Sequence, residues 1–303
     1  MLPPCLQTCR WLNQGYIPAM KIFRAVSLCL FISTLALSAQ ITVEVVPVQG
    51  QFLPGEPLRV EVRITNRSGQ SLKLGEDNEW LKLSVESKDG YVVSQLGEVP
   101  VKKEFTLDSS KMVRRWVDIA PCFSLTKPGH YLVSATVKVK EWDKEFSAPV
   151  GEFDIVKGMN LREMEFGVPT VAGQSPEVRK YALQQANYLK QLWLYVRVTD
   201  SPETRVLRVV PIGTMVSFSE PEAQVDSASN LHVLWQTGAR GFAYRVVNPA
   251  GEIIVRETHD FQGTRPKLRA DETGKISVSG GLRHPTRDDL PPLIAVPVAT
   301  PKP

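Results

Sequence analysis

The chain has 303 residues, 43% of them hydrophobic and 22% charged, with 20 Gly, 23 Pro and only 4 Cys. This composition excludes a collagen-like, wholly disordered or disulfide-dense protein. Of 36 basic and 32 acidic residues, three basic and no acidic ones lie in residues 1–39, so the remainder carries a net charge of only +1. Such a balance does not build a nucleic-acid-binding surface.

The first organised segment is a leader. Met20-Lys21-Ile22-Phe23-Arg24 supplies positive charge, Ala25 to Leu37 an apolar run of 13 residues, and Ser38-Ala39-Gln40 a small-residue cleavage site. These are the three parts of a secretory signal peptide. A spanning helix needs ~20 apolar residues, so no permanent membrane span is expected once the leader is removed near Ala39 and Gln40. Residues 1–19 fit neither a leader nor a fold, and translation is expected to start at Met20. Cys5, Cys9 and Cys29 precede the cleavage point, leaving Cys122 without an intramolecular disulfide partner. Cys122 reads as a small packed residue near a strand end. The expected destination is the periplasm or the exterior.

From Ile41 to about residue 157 the pattern alternates with period two. Ile41–Val48, Leu58–Asn66, Leu81–Ser87, Lys111–Ile119, His130–Val139 and Val150–Val156 predict strands. Leu53-Pro54-Gly55-Glu56, Arg67-Ser68-Gly69, Lys88-Asp89-Gly90 and Lys127-Pro128-Gly129 predict the turns between them. One polar and one apolar face per strand suits two antiparallel sheets packed face to face. Phe52-Leu53-Pro54-Gly55-Glu56-Pro57-Leu58-Arg59-Val60-Glu61-Val62-Arg63-Ile64-Thr65-Asn66-Arg67-Ser68-Gly69 resembles the opening of bacterial immunoglobulin-like domains. The segment Leu125 to Val137 resembles their penultimate hairpin. The resemblance implies an immunoglobulin-like β-sandwich over residues 40–157 and carries no catalytic residues.

Gly158 to Gln174 reads as an interdomain crossing. Ser175-Pro176-Glu177 then has the chemistry of a helix start: an N-cap hydroxyl, Pro at the first helical position, an acid in the first turn. Val178, Ala182, Leu183, Ala186 and Leu189 form one apolar stripe, which predicts a single connecting helix within residues 158–191. Its polar face is short of basic charge, so it is expected to pack on a sheet.

Residues 192–281 return to strands, with Trp193–Asp200 and Arg205–Val210 flanking a hairpin at Ser201-Pro202-Glu203-Thr204. Asp226–Val233 matches Asp271–Val278 in pattern at a spacing of 45 residues, with Asn248-Pro249-Ala250-Gly251 as a turn between. That period is the size of a propeller blade. Val225 to Trp235 resembles a blade start of sialidase-like bacterial propellers, with Ser229 where Gly is usual. Residues 159–281 give fewer than three such units, short of the ~4–8 blades of a closed propeller, so a β-meander with blade-like hairpins is expected. Residues 282–303, with six prolines in 22 residues, predict an extended or disordered tail. The expected fold class is all-β: sandwich, one helix, meander.

The chemistry-bearing residues form no complete catalytic motif. His130, His232, His259 and His284 stand in no metal-ligand spacing, and no cofactor is expected. His232 alternates with Leu231, Val233 and Trp235, which places it on the opposite face of its strand, as a surface or cross-strand histidine. His259-Asp260 offers an acid–base combination. Ser277-Val278-Ser279-Gly280-Gly281 lacks the first Gly of a nucleophile elbow. Asp271-Glu272 and Asp288-Asp289 are adjacent acids in turn and tail rather than carboxyls facing across a cleft. Asn66-Arg67-Ser68 is a glycosylation sequon by pattern alone. Trp235, Tyr244 and His232 are the candidate ligand-binding residues, because aromatic faces stack on sugar rings. The first functional reading is an exported, non-catalytic binding or structural protein of the bacterial envelope, its partner a protein or a polysaccharide. The second is a carbohydrate binder whose propeller is completed by self-association, and the third is a hydrolase using His232 or His259-Asp260.

Overall fold

The computed structural model describes residues 41–168 and 177–291. The leader, its cleavage point, Cys5, Cys9, Cys29, the Ser175-Pro176 pair and residues 292–303 lie outside them.

The chain is all-β. Its first half contains β1 (Ile41–Pro47), β2 (Gln51–Phe52), β3 (Arg59–Asn66), β4 (Leu72–Leu74), β5 (Leu81–Ser87), β6 (Phe105–Leu107), β7 (Met112–Asp118), β8 (Gly129–Val139), β9 (Lys144–Ser147) and β10 (Gly151–Ile155). One sheet has the order β1-β3-β7; the other runs β2-β10-β8-β5, with β9 also on β8, and β4 and β6 form a separate pair. Alternation fixes which side chains turn inward. Val43 and Val45 of β1 stand opposite Ile64 and Val62 of β3. They share one buried core with Leu83 and Val85 of β5, Val133 and Val137 of β8, and Phe153 of β10. Tyr131 stacks on Phe153 with ring centroids 5.6 Å apart, and its hydroxyl donates to the Lys127 carbonyl, giving the buried ring's polar tip a partner.

The second half contains β11 (Met159–Val168), β12 (Glu177–Tyr188), β13 (Gln191–Asp200), β14 (Val206–Met215), β15 (Glu222–Val225), β16 (Leu231–Gln236), β17 (Gly241–Val247), β18 (Ile253–Asp260), β19 (Lys267–Ala270), β20 (Ile276–Ser279) and β21 (Leu282–Arg283). Two antiparallel meanders result, β11-β12-β13-β14 and β15-β16-β17-β18-β21, with β19-β20 as a separate hairpin. Leu183, Leu194 and Val196 of the first meander bury against Leu231, Val233 and Trp235 of the second. Tyr181 sits fully buried in this layer, stacked on Phe166, its hydroxyl donating to the carbonyls of Ser229 and Val247. The opposite face of the second meander carries Leu234, Phe242, Tyr244 and Val246, covered by Leu268 and Ile276 of the hairpin.

Three expectations need correction. The connecting helix does not exist: residues 177–188 are β12, hydrogen-bonded to β11 on one side and β13 on the other. Among the described residues the only helical element is a three-residue 3-10 turn, Lys140–Trp142. Ala182, Leu183, Gln184 and Ala186 favour helix intrinsically, but strand pairing overrides so weak a preference. The misleading stripe arises because both faces of β12 are covered: Tyr181 and Leu183 face the second meander, while Ala186 packs on Leu53 of the first half. The expected linker is also a strand over Met159–Val168. Finally, residues 282–291 are not a loose tail. Leu282–Arg283 pairs with β18, and Leu290 exchanges two backbone hydrogen bonds with Arg256. Asp289, almost fully buried, accepts from the Thr286 amide and hydroxyl and from Arg283.

The 45-residue match is a turn rather than a blade. In Asp226–Asn230 and Asp271–Lys275 the first carboxylate accepts backbone N–H groups two and four residues on, and the fourth residue is left-handed. Asn248–Glu252 repeats the arrangement with an amide oxygen and left-handed Gly251. A short loop ending in a left-handed residue suits the twist of an antiparallel hairpin. Ser229 holds this position at φ 66°, and its hydroxyl donates to the Gly167 carbonyl at 2.6 Å, tying the turn to β11.

Candidate functional site

A concavity lies where the two halves meet, and one turn builds much of it. Leu53-Pro54-Gly55-Glu56 closes with the Glu56 amide donating to the Leu53 carbonyl at 3.0 Å, Pro54 and left-handed Gly55 taking the central positions. The Glu56 side chain turns back over the loop. One oxygen accepts from the Leu53 amide and the other from Gln49 Nε2, both at 2.9 Å. Burial pushes the Glu56 carboxyl above its ordinary range, outweighing those two hydrogen bonds. A Cβ on Gly55 would come within 2.7 Å of Val206 Cγ1, so the turn sits directly against β14.

Around this turn, Leu53 packs with Ala186, Tyr195 and Val209, closing one end of the junction. Polar contacts add to it: Tyr188 Oη accepts from the Gly50 amide, Gln51 Nε2 donates to the Asn187 carbonyl, and Arg197 Nη1 donates to the Pro54 carbonyl. Beside the packed end a cleft of about 920 Å³ opens, walled by Leu53, Leu58, Phe123, Leu125 and Ile155, with Glu56, Lys157, Gln184 and Arg197 supplying polar groups. This falls within the size range of small-molecule sites, which favour junctions of this kind. Gly158 lies on its floor, where a Cβ would stand 2.8 Å from Leu53 Cδ2.

The residues singled out from sequence lie elsewhere. Trp235 faces the layer between the meanders, 1% exposed, and its Nε1 donates to the Thr214 carbonyl. His232 and Tyr244 lie on the opposite face, as alternation requires, but His232 is not a surface residue. At 7% exposure it is buried near the β19–β20 hairpin. His232 Nε2 stands 3.0 Å from Asp226 Oδ2, and Nδ1 stands 2.6 Å from the Tyr244 hydroxyl. A carboxylate can only accept, so Nε2 carries a proton, and in the neutral imidazole Nδ1 then accepts from the tyrosine. Burial raises Asp226, but hydrogen bonds from His232 and Asn230 prevail and leave its pKa below the ordinary value. Burial, reinforced by the Glu257 and Asp226 carboxylates, pushes Tyr244 up to about 12, keeping its phenol protonated. The three side chains thus satisfy one another, and neither aromatic ring presents a face to solvent.

The other pairings are also local. His259 meets Glu257 two residues away, not Asp260, because neighbouring residues on a strand point to opposite faces; Asp260 instead meets His284 Nδ1 at 3.1 Å. His130 Nδ1 lies 2.5 Å from Asp154 Oδ1 on the adjacent strand. Cys122 is buried, and burial raises its pKa, with the Asp118 charge adding to it. Asn66 has no exposed surface: its amide donates to Gln70 and Leu107 carbonyls and its oxygen accepts from Ser68, so the sequon is consumed in structure. Among the described residues, no three His, Cys, Asp or Glu side chains form a metal-binding group, and no helix is long and apolar enough to cross a membrane.

Sequence reasoning marked the Leu53–Glu56 turn and the β13 strand but did not place them together. Arg197 sits at a polar position of that strand, and nothing local distinguishes it from any solvent-facing arginine. No protein-family model and no curated protein matches the chain.

Proposed function

We propose that this protein is an exported, non-catalytic binding module of the bacterial envelope, with the cleft between its two β halves as the ligand site. The cleft itself carries the reading: about 920 Å³ of space with apolar walls and few polar groups, at the junction of two packed cores. The first half is assigned as an immunoglobulin-like sandwich on the strength of its alternating strands and its two paired sheets around one core. Export rests on the leader pattern of residues 20–40. A non-catalytic role is supported by His232, His259 and Asp260 each being engaged with a neighbour in sequence or across a strand. Burial of Trp235 and Tyr244 favours the cleft over these rings as the place where a ligand sits.

The test uses the full chain incubated with an envelope extract, recovered by size exclusion and examined by native mass spectrometry. Thr126 is exposed on the cleft wall, so Thr126→Trp puts a bulky side chain into the space from a position outside both cores. A bound mass retained by the wild type and lost from Thr126→Trp is the expected result. A mass retained equally by both, or by neither, contradicts the cleft as the binding site.

A further inference from the structure

The polar groups of the cleft differ in how far their hydrogen-bonding capacity is already spent. Gln184 Nε2 donates to Asn160 Oδ1, and Asn160 Nδ2 donates to Glu163, so the donors of both amides are engaged. Both Glu56 oxygens are already accepting. Arg197 differs: of the five N–H donors a guanidinium carries, one is given, to the Pro54 carbonyl, and no carboxylate pairs with it among the described residues. Lys157 lies exposed at the same cleft, also without a carboxylate partner among them. Apart from the Ser124 and Thr126 hydroxyls, the remaining side chains of the walls are aliphatic or aromatic, and Leu96 extends them outward as a lip that is 66% exposed. A largely apolar trough with two cations that no described carboxylate pairs is complementary to an anionic, largely apolar molecule.

We propose that the cleft binds an anionic amphiphile, a single aliphatic chain ending in a carboxylate. Its chain lies along Leu58, Phe123, Leu125 and Ile155, and its headgroup lies at Arg197 with Lys157 beside it. This rests on the cleft being the ligand site. The carboxylate accepts from Arg197, and the chain replaces water against the wall.

The experiment is calorimetric titration of the full chain, below micellar concentrations, with dodecanoate, decanoate and dodecyltrimethylammonium. Dodecanoate is expected to bind one to one. Burying a methylene changes affinity about fourfold, so decanoate should bind roughly fifteenfold more weakly. Dodecyltrimethylammonium, with the same chain and opposite charge, should bind at least about tenfold more weakly than dodecanoate. Arg197→Met should erase that preference, and because Arg197 also holds Pro54, Lys157→Gln, at an exposed position, should reduce it independently. Thr126→Trp should abolish binding of both dodecyl compounds. Equal binding of the two compounds, both lost in Thr126→Trp, overturns the acidic headgroup and leaves the cleft standing. Dodecanoate binding that survives Thr126→Trp overturns both readings. No binding of any amphiphile overturns this inference alone, the extract experiment then deciding the cleft.

Discussion

If His232 and Tyr244 are structural, removing them must cost stability in a particular, non-additive way. Tyr244→Phe deletes the hydroxyl and leaves His232 Nδ1 as a buried acceptor with no donor. His232→Leu leaves the Tyr244 hydroxyl without its partner and takes one donor from Asp226, which keeps Asn230. Each single change orphans a buried polar group and should cost about 1–3 kcal/mol. The double variant removes both ends of the His232–Tyr244 bond and orphans neither. Its cost should therefore fall short of the sum of the singles by about 1–2 kcal/mol. Urea unfolding at neutral pH, followed by fluorescence of Trp193 and Trp235 in the same half, measures all four corners of the cycle. A double variant that costs the full sum would refute the bond, and with it the argument that these residues are spent in holding the sheet.

Other consequences concern turns, the junction and pH. Leu189 and Lys190 join β12 to β13 with φ of 48° and 63°, a two-residue turn that Asn and Gly suit far better. Leu189→Asn with Lys190→Gly should raise stability by about 1 kcal/mol by relieving left-handed strain, and a loss in thermal unfolding would instead argue for the helix. Gly55→Val meets both a φ of 87° and Val206, and should cost at least about 2 kcal/mol in urea unfolding; a neutral result would contradict the close approach of the two halves. Asp226 is held below its ordinary pKa, so its contribution is present above about 3.9 and is lost as pH falls through the lower folded value. The stability gap between wild type and Asp226→Asn should be flat above pH ~5 and shrink on further acidification; a gap that widens there would reverse the sign of the shift.

How much of this was legible in the sequence depends on whether a signal was local. The strands β1, β5 and β8 alternate cleanly because one face of each is the wetter one, and period two then survives in the residues. β12 has no wet face along its middle, so its sequence lost the alternation and kept only a helical composition. Its far end gave no warning either, since Leu189-Lys190 is not turn chemistry. The 45-residue repeat was a real signal with the wrong meaning: what recurs is an Asp or Asn closing a hairpin loop. The ordered end at Asp289 depends on Arg283 and Thr286 folding back onto it, and the prolines around them obscured that. The cleft was the least legible feature. It joins Pro54, Phe123 and Arg197, which no spacing rule connects, and it exists only because two cores meet at the Leu53–Glu56 turn.

The most direct test of the cleft is methyl NMR of the full chain, labelled at Leu, Val and Ile, titrated with dodecanoate. Saturable shift changes confined to Leu53, Leu58, Leu96, Leu125 and Ile155, with Leu231, Val233 and Val247 unmoved in the second core, are the expected result. Changes spread over the exposed methyls of both halves, or centred on the β16–β18 face around His232 and Tyr244, would contradict it.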